Sequence, residues 1–141
     1  MKKYILIGLL LTVLLTFTLT VSAVDFDDKA IPGLNVTTDV DGAFNLSHSQ
    51  NKTLAIIFDQ DSCYYCDLLK KDVLSDKNVQ KELNDKCIVL IVDINKNPKV
   101  AAKYNVFGTP VVLFVDSNGK TLQKIEGYVG SDVFLDAVKA I

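Results

Sequence analysis

Cys87-Ile88-Val89-Leu90-Ile91-Val92 is an almost unbroken apolar run, with no polar residue on either alternating face. A strand of this kind has no side to turn toward water, so the run predicts a central parallel strand covered by helices above and below. Asp93 then falls at its carboxyl end. Thr53 to Phe58 reads as a second buried strand and Val111 to Val115 as a third. The intervals between these runs carry helical spacing. Asp39 to Ser49 is a weak amphipathic helix with Asp39 as N-cap and Val40, Phe44 and Leu46 facing inward. After Cys63 one stripe holds Cys66, Leu69 and Val73, with Leu68 and Leu74 beside it. A break at Ser75-Asp76 lets either residue cap a second stretch through Val79 and Leu83. Pro98 starts a short helix through Val100, Ala101 and Tyr104. Asp116-Ser117-Asn118-Gly119 is a hairpin turn into the strand Thr121 to Glu126, and Phe134, Leu135, Val138 and Ile141 line a closing helix. The expected order is strand, helix, strand, helix, strand, helix, strand, strand, helix. It describes an α/β fold whose mixed sheet pairs in parallel first and ends in an antiparallel hairpin.

The 141 residues leave room for one domain with a proper core. Lys2 and Lys3, the uncharged run from Tyr4 to Val21 and the small residues of Val21-Ser22-Ala23 have the three parts of a secretory signal. Cleavage after Ala23 and retention as a single membrane anchor are both open. In either case the lysines stay cytoplasmic and residues 24 to 141 cross the membrane, which predicts an extracytoplasmic protein, secreted or tethered to the outer face of the cytoplasmic membrane. Residues 24 to 33 form an acidic spacer closed by Pro32-Gly33, and the domain is expected over residues 34 to 141. The chain has 15 basic residues against 17 acidic ones, a net charge of −2, and without Lys2 and Lys3 the balance is 13 against 17, or −4. Every cation is Lys, so the Arg forks favoured for phosphate are absent and nucleic acid is excluded as a partner.

Cys63-Tyr64-Tyr65-Cys66 lies between the Leu54 to Phe58 strand and the helical stripe. A strand that delivers two cysteines to the first turn of a helix places the first sulfur among unpaired backbone N–H groups, where a thiolate is favoured. Thiol-disulfide exchange is the chemistry this placement points to. Ile56-Ile57-Phe58 before the pair, Val92-Asp93-Ile94-Asn95 in the next strand, Tyr104 to Pro110 ending in Gly108-Thr109-Pro110, and Asn118-Gly119-Lys120 occur in one order. With the element order, these landmarks make the chain resemble the thioredoxin superfamily over about residues 34 to 141, and within it the exported thioredoxin-like reductases.

The resemblance implies a thioredoxin fold with a mixed central β-sheet flanked by α-helices. It makes Cys63 the attacking thiol and Cys66 the resolving one, and it makes Pro110 a cis proline that lays the Thr109 backbone beside the cysteines, where a substrate chain adds as a strand. The plain alternative is a trans proline opening an edge strand. Thr109 is also placed to hydrogen-bond near the Cys63 sulfur, and Tyr64 and Tyr65 to form an aromatic lip for an unfolded peptide. The implied function is that of a protein-disulfide reductase that needs no bound cofactor, acts on protein thiols and disulfides, and is recharged by a membrane electron carrier or another dithiol protein. The chain departs from the family at Ser62, where relatives carry a tryptophan, and at Ile57, where many carry a buried acid. Asp59, Asp61 and Asp67 surround the pair with negative charge that opposes the helix dipole, or are simply solvated acids.

Two rival readings stand beside this one. Cys63, Cys66, Cys87 and His48 nominally supply four zinc ligands, but only one close pair exists where a structural site uses two. A fixed structural disulfide in a non-catalytic binding module is the other; a loop so short contributes little chain-entropy stabilisation. Cys87 is expected to be buried without a catalytic role, the alternative being a reactive third thiol or an intermolecular disulfide. His48, in a polar Ser-His-Ser stretch, reads as a surface residue. The Asn-x-Ser/Thr sequons at Asn35, Asn45 and Asn51 are acceptors only in a host that glycosylates exported chains.

Overall fold

The computed structural model describes residues 23–26 and 30–141; the leader or anchor expected over residues 1–23 lies outside them except for Ala23, as do residues 27–29 of the spacer. Strand β1 is Val36–Thr37, helix α1 Val40–Gln50 and strand β2 Thr53–Asp59. Helix α2, Tyr64–Leu68, runs on into a π-helical turn over Leu69–Val73, in which the Leu74 N–H donates to the Leu69 carbonyl at 2.9 Å. Helix α3 (Lys77–Lys86), strand β3 (Cys87–Asp93), helix α4 (Pro98–Lys103), strands β4 (Val111–Val115) and β5 (Thr121–Glu126) and helix α5 (Ser131–Lys139) complete the chain.

The five strands form one mixed sheet in the order β1-β3-β2-β4-β5. β3 lies parallel to both β1 and β2, and β4 is antiparallel to β2 and β5. This is the thioredoxin fold, with the Cys87 to Val92 run paired along its length to β2 and, at Val89 and Leu90, to β1. Two cores follow from the alternation along the strands. Ala55, Ile57, Val89, Val112 and Phe114 face α2, α3 and α5, where Leu69, Val73, Leu83 and Phe134 meet them. Leu54, Ile56, Phe58, Leu90 and Leu113 face α1 and α4, where Ala43 and Ala101 pack.

Local capping chemistry sets the helix starts. The Asp39 carboxylate accepts the Gly42 N–H at 3.0 Å, and Asp76 accepts those of Asn78 and Val79 at 2.8 and 3.1 Å. Of the residues expected to bury α1, Val40, Phe44 and Leu46 are only half-buried, and Ala43 and Ser47 are the closed positions. Ser47 tolerates burial because its hydroxyl donates to the Lys52 carbonyl at 2.6 Å. Phe44 instead stacks against Tyr104, with the Lys103 ammonium 5.0 Å from its ring centre.

The packed chain reaches back to Ile31, which is buried, three residues before the boundary expected at Leu34. Gln80 holds that entry segment: its Nε2 donates to the carbonyls of Pro32 at 2.8 Å and Leu74 at 2.9 Å. One turn on, the Asn84 side chain donates to the Gly33 carbonyl and accepts the Asn35 N–H, each at 3.0 Å. Gly33 has φ +92°, and a Cβ there would collide with the Gln80 carboxamide.

Candidate active site

β2 ends at Asp59, and three residues later the backbone turns through Ser62 at φ +60°, a left-handed conformation that few side chains adopt without cost. That turn sets Cys63 as the N-cap of α2, with extended backbone at φ −96° and ψ 100°. Its sulfur accepts the Cys66 N–H at 3.2 Å, and the hydroxyl of Thr109 donates to the same sulfur at 3.4 Å. Two donors thus converge on one sulfur, the arrangement that favours negative charge there. Cys63 and Cys66 are joined in a disulfide. Cys63 is 9% exposed and Cys66 2%, so one sulfur edges the surface and the other is sealed beneath it.

The Thr109–Pro110 peptide bond is cis. The carbonyl of Pro110 accepts the Gly127 N–H at 2.9 Å, which ties this loop to the end of β5. Tyr64 and Tyr65 stand in solvent at 71% and 57% exposure, their rings edge to face with centres 5.3 Å apart. The structure therefore brings Cys63, Cys66 and Thr109 into contact, sets Pro110 in the same loop, and leaves both tyrosines open beside the pair. Phe107, at 86% exposure the most open of the large apolar side chains among the described residues, stands on the loop that carries Thr109. Nothing in the sequence around Phe107 marks it as exposed; only the fold places its ring in solvent.

The acids around the pair are not equivalent. Asp59 forms an ion pair with Lys70 of the π-helical turn, whereas Asp61 and Asp67 are exposed. Asp93 is the register neighbour of Asp59 on β3, and the N–H groups of Asn95 and Lys96, with the Lys96 ammonium, hold its carboxyl below the usual carboxylate range. Ile57 is 2% exposed within the core, so the position that the resemblance would give to a buried acid is apolar here.

Cys87 begins β3, opposite Thr53, whereas the cysteine pair follows the far end of β2. Six residue steps of strand separate the two ends, about 20 Å. The three cysteines are therefore not one cluster, and no group of three His, Cys, Asp or Glu placed to hold a metal occurs among the described residues. His48 is exposed on α1, its Nδ1 3.1 Å from the Ser117 carbonyl. Burial pushes the Cys87 thiol up to about 12, against a weaker opposing pull from Lys86 and Lys52. Between the ordinary thiol value and 12 the folded chain keeps a proton that an unfolded chain gives up, so the thiolate fraction of native Cys87 at pH 8 is about 10⁻⁴. Iodoacetamide at that pH is expected to leave Cys87 unmodified in the native protein and to label it once guanidinium unfolds the chain. Rapid native labelling, read by peptide mass, would contradict this burial.

The family model for the thioredoxin-like domain matches residues 40–141. The thiol:disulfide interchange protein DsbD of Campylobacter jejuni (strain RM1221) is 33% identical over 94 residues, which are 64% of this chain and 16% of that protein. This chain thus spans a small part of the length of those relatives. Among solved structures, a DsbH oxidoreductase superposes with a TM-score of 0.67 at 21% identity, covering 89% of this chain and 90% of that one. A thioredoxin from Thermus thermophilus superposes with a TM-score of 0.69 at 24% identity over 77% and 86% of the two chains.

Proposed function

We propose that this chain, which belongs to the thioredoxin-like domain family, is an extracytoplasmic thiol-disulfide oxidoreductase that reduces disulfides in protein substrates. The observation that carries this reading is the Cys63 sulfur, a helix N-cap that accepts both the Cys66 N–H and the Thr109 hydroxyl while Cys66 lies buried behind it. In the reduced protein, the Cys63 thiolate attacks one sulfur of a substrate disulfide. The substrate S–S bond breaks, its second sulfur leaves as a thiolate and takes up a proton, and a mixed disulfide forms. Cys66 then gives up its proton and attacks the Cys63 sulfur. This closes the Cys63–Cys66 disulfide and releases the other substrate thiol. Two electrons pass from the dithiol to the substrate, and a membrane carrier or a second dithiol protein returns them.

The residues take distinct parts in this reading. Cys63 and Cys66 do the chemistry, Thr109 steadies the sulfur, and Thr109-Pro110 with the Tyr64 and Tyr65 rings receives the substrate chain. Export rests on Lys2-Lys3 and the apolar run that follows, with residues 1–23 as leader or anchor and the domain after the spacer. The reducing direction rests on Asp61 and Asp67, whose charge opposes a strongly stabilised thiolate, and on the resemblance of the sequence to exported thioredoxin-like reductases.

The test is the reduction potential of the pair, measured on the purified protein equilibrated with thiol–disulfide buffers and scored by alkylation and mass. A value near that of thioredoxin, about −270 mV, is expected; one near about −120 mV would make the protein an oxidant. A pair that does not cycle would leave a fixed structural disulfide in a binding module.

A further inference from the structure

Between the loop that holds Thr109 and the end of β5 lies an open cleft of about 340 Å³, lined by Phe107, Thr109, Pro110 and Glu126 among others. Its walls are fixed to the redox site. Glu126 pairs in register with Val111, the Gly127 N–H is bonded to the Pro110 carbonyl, and the Thr109 hydroxyl is bonded to the Cys63 sulfur. A residue next to a substrate cysteine engaged at Cys63 therefore lies within reach of this cleft.

The cleft sets Phe107 and Pro110 against Glu126, and the surface around the disulfide beside it adds further rings and acids. Phe107 presents its ring to solvent, and Tyr64 and Tyr65 do the same on the helix side of the disulfide. Asp61 and Asp67 flank the cysteine pair and take no part in an ion pair among the described residues. Of the neighbouring cations, Lys70 is engaged by Asp59 and Lys124 by Glu126, while Lys71, four residues after Asp67, is exposed and outside any ion pair among the described residues. The Glu126 side chain is 70% exposed, and a pair as open as Lys124–Glu126 is weak enough for an arriving cation to share or displace it.

A purely apolar segment would satisfy the rings and leave the carboxylates unused. A side chain with an aliphatic stem and a cationic head satisfies both: its stem lies along Phe107 and Pro110, its head meets Glu126, and aromatic faces attract cations directly. We propose, building on the reductase reading above, that this cleft selects protein disulfides whose cysteine is flanked by Lys or Arg, with Phe107 and Glu126 as the specificity-determining residues. Asp61 and Asp67 add a field that draws such segments in, so the selection acts on the association rate.

The test uses the full-length protein, reduced beforehand, in single-turnover reactions with short peptides whose one cysteine is blocked as its mixed disulfide with thionitrobenzoate. The residues on both sides of the cysteine are Lys, Leu or Glu, and each rate is divided by the rate of the same peptide with dithiothreitol to remove its intrinsic reactivity. The Lys peptide is expected to react about 10-fold faster than the Glu peptide at low ionic strength and ahead of the Leu peptide, with the Lys-to-Glu ratio shrinking in about 1 M salt. Glu126→Lys is expected to lower that ratio several-fold. Equal normalised rates, a Leu peptide faster than the Lys peptide, or a ratio indifferent to Glu126→Lys would each overturn the proposal while leaving the reductase reading intact. Reduction of none of the peptides would overturn both.

Discussion

Replacing Cys63 by serine is expected to bring disulfide exchange down to the rate of a protein-free control, whereas replacing Cys66 by serine is expected to leave the first step intact and to trap its product. The difference comes from where the two sulfurs sit. Cys63 caps the helix, accepts two hydrogen bonds and edges the surface, so a substrate sulfur can approach it in line. Cys66 is 2% exposed and reaches the exchange chemistry through its bond to the Cys63 sulfur. A hydroxyl at position 63 is not ionised near neutral pH and does not attack a disulfide. A hydroxyl at position 66 cannot resolve the intermediate, so Cys66→Ser accumulates a mixed disulfide at one substrate per chain. Non-reducing mass measurement after incubation with an oxidised protein substrate reads both results. If Cys63→Ser formed the adduct and Cys66→Ser did not, the roles would be exchanged; if neither did, exchange through this pair would be ruled out.

What could be read from the sequence is what local chemistry decides. The Cys87 to Val92 run had to be covered on both faces because neither tolerates water, and its residues divide between the two cores. Asp39 and Asp76 cap helices within their own first turns, so the first cap could be foreseen and the second narrowed to Ser75 or Asp76. Cys63 at a strand-to-helix junction follows in the same way from the apolar run before it and the helical stripe after it.

The features that escaped depend on residues distant in sequence. The π-helical turn after α2 displaces carbonyls that an α-helix would use, and side chains from elsewhere meet them. The Ser75 hydroxyl donates to the Lys70 carbonyl at 2.8 Å, and that of Ser131, from α5, donates to the Asp72 carbonyl at 3.1 Å. Nothing in Leu69-Lys70-Lys71-Asp72-Val73 by itself announces either partner. Gln80 reads as an outer helix position and is buried because two carbonyls, one of them 48 residues away, claim its amide. Asp59 reads as one of three equivalent acids, and only the fold sets it against Lys70 and leaves Asp61 and Asp67 free. At Ser62 the backbone is left-handed, and no local signal marks it.

Phe134 carries the largest expected effect on stability. It is fully buried on the inner face of α5, edge to face with Phe114 of β4 at 6.1 Å and 62° between the ring planes. Phe134→Ala removes the ring, opens a cavity that the flanking sheet cannot close and forfeits the aromatic pair, a loss of about 3–5 kcal/mol. A domain of this size has roughly 5–15 kcal/mol in total, so the variant should fold but melt roughly 10–20 °C lower. The effect reaches the redox site by a definite route, because α5 is bound through Ser131 to Asp72 at the end of the active-site helix and through its last turn to the Lys86 ammonium. Urea titration with an unchanged slope and a lowered midpoint is the expected signature. Val133→Ala, on the neighbouring position at 60% exposure, should change stability by less than about 0.5 kcal/mol. A Phe134→Ala loss below about 1 kcal/mol would mean that α5 re-seats over the vacated ring, and then the Ser131 to Asp72 bond could not be what anchors that end of the active-site helix.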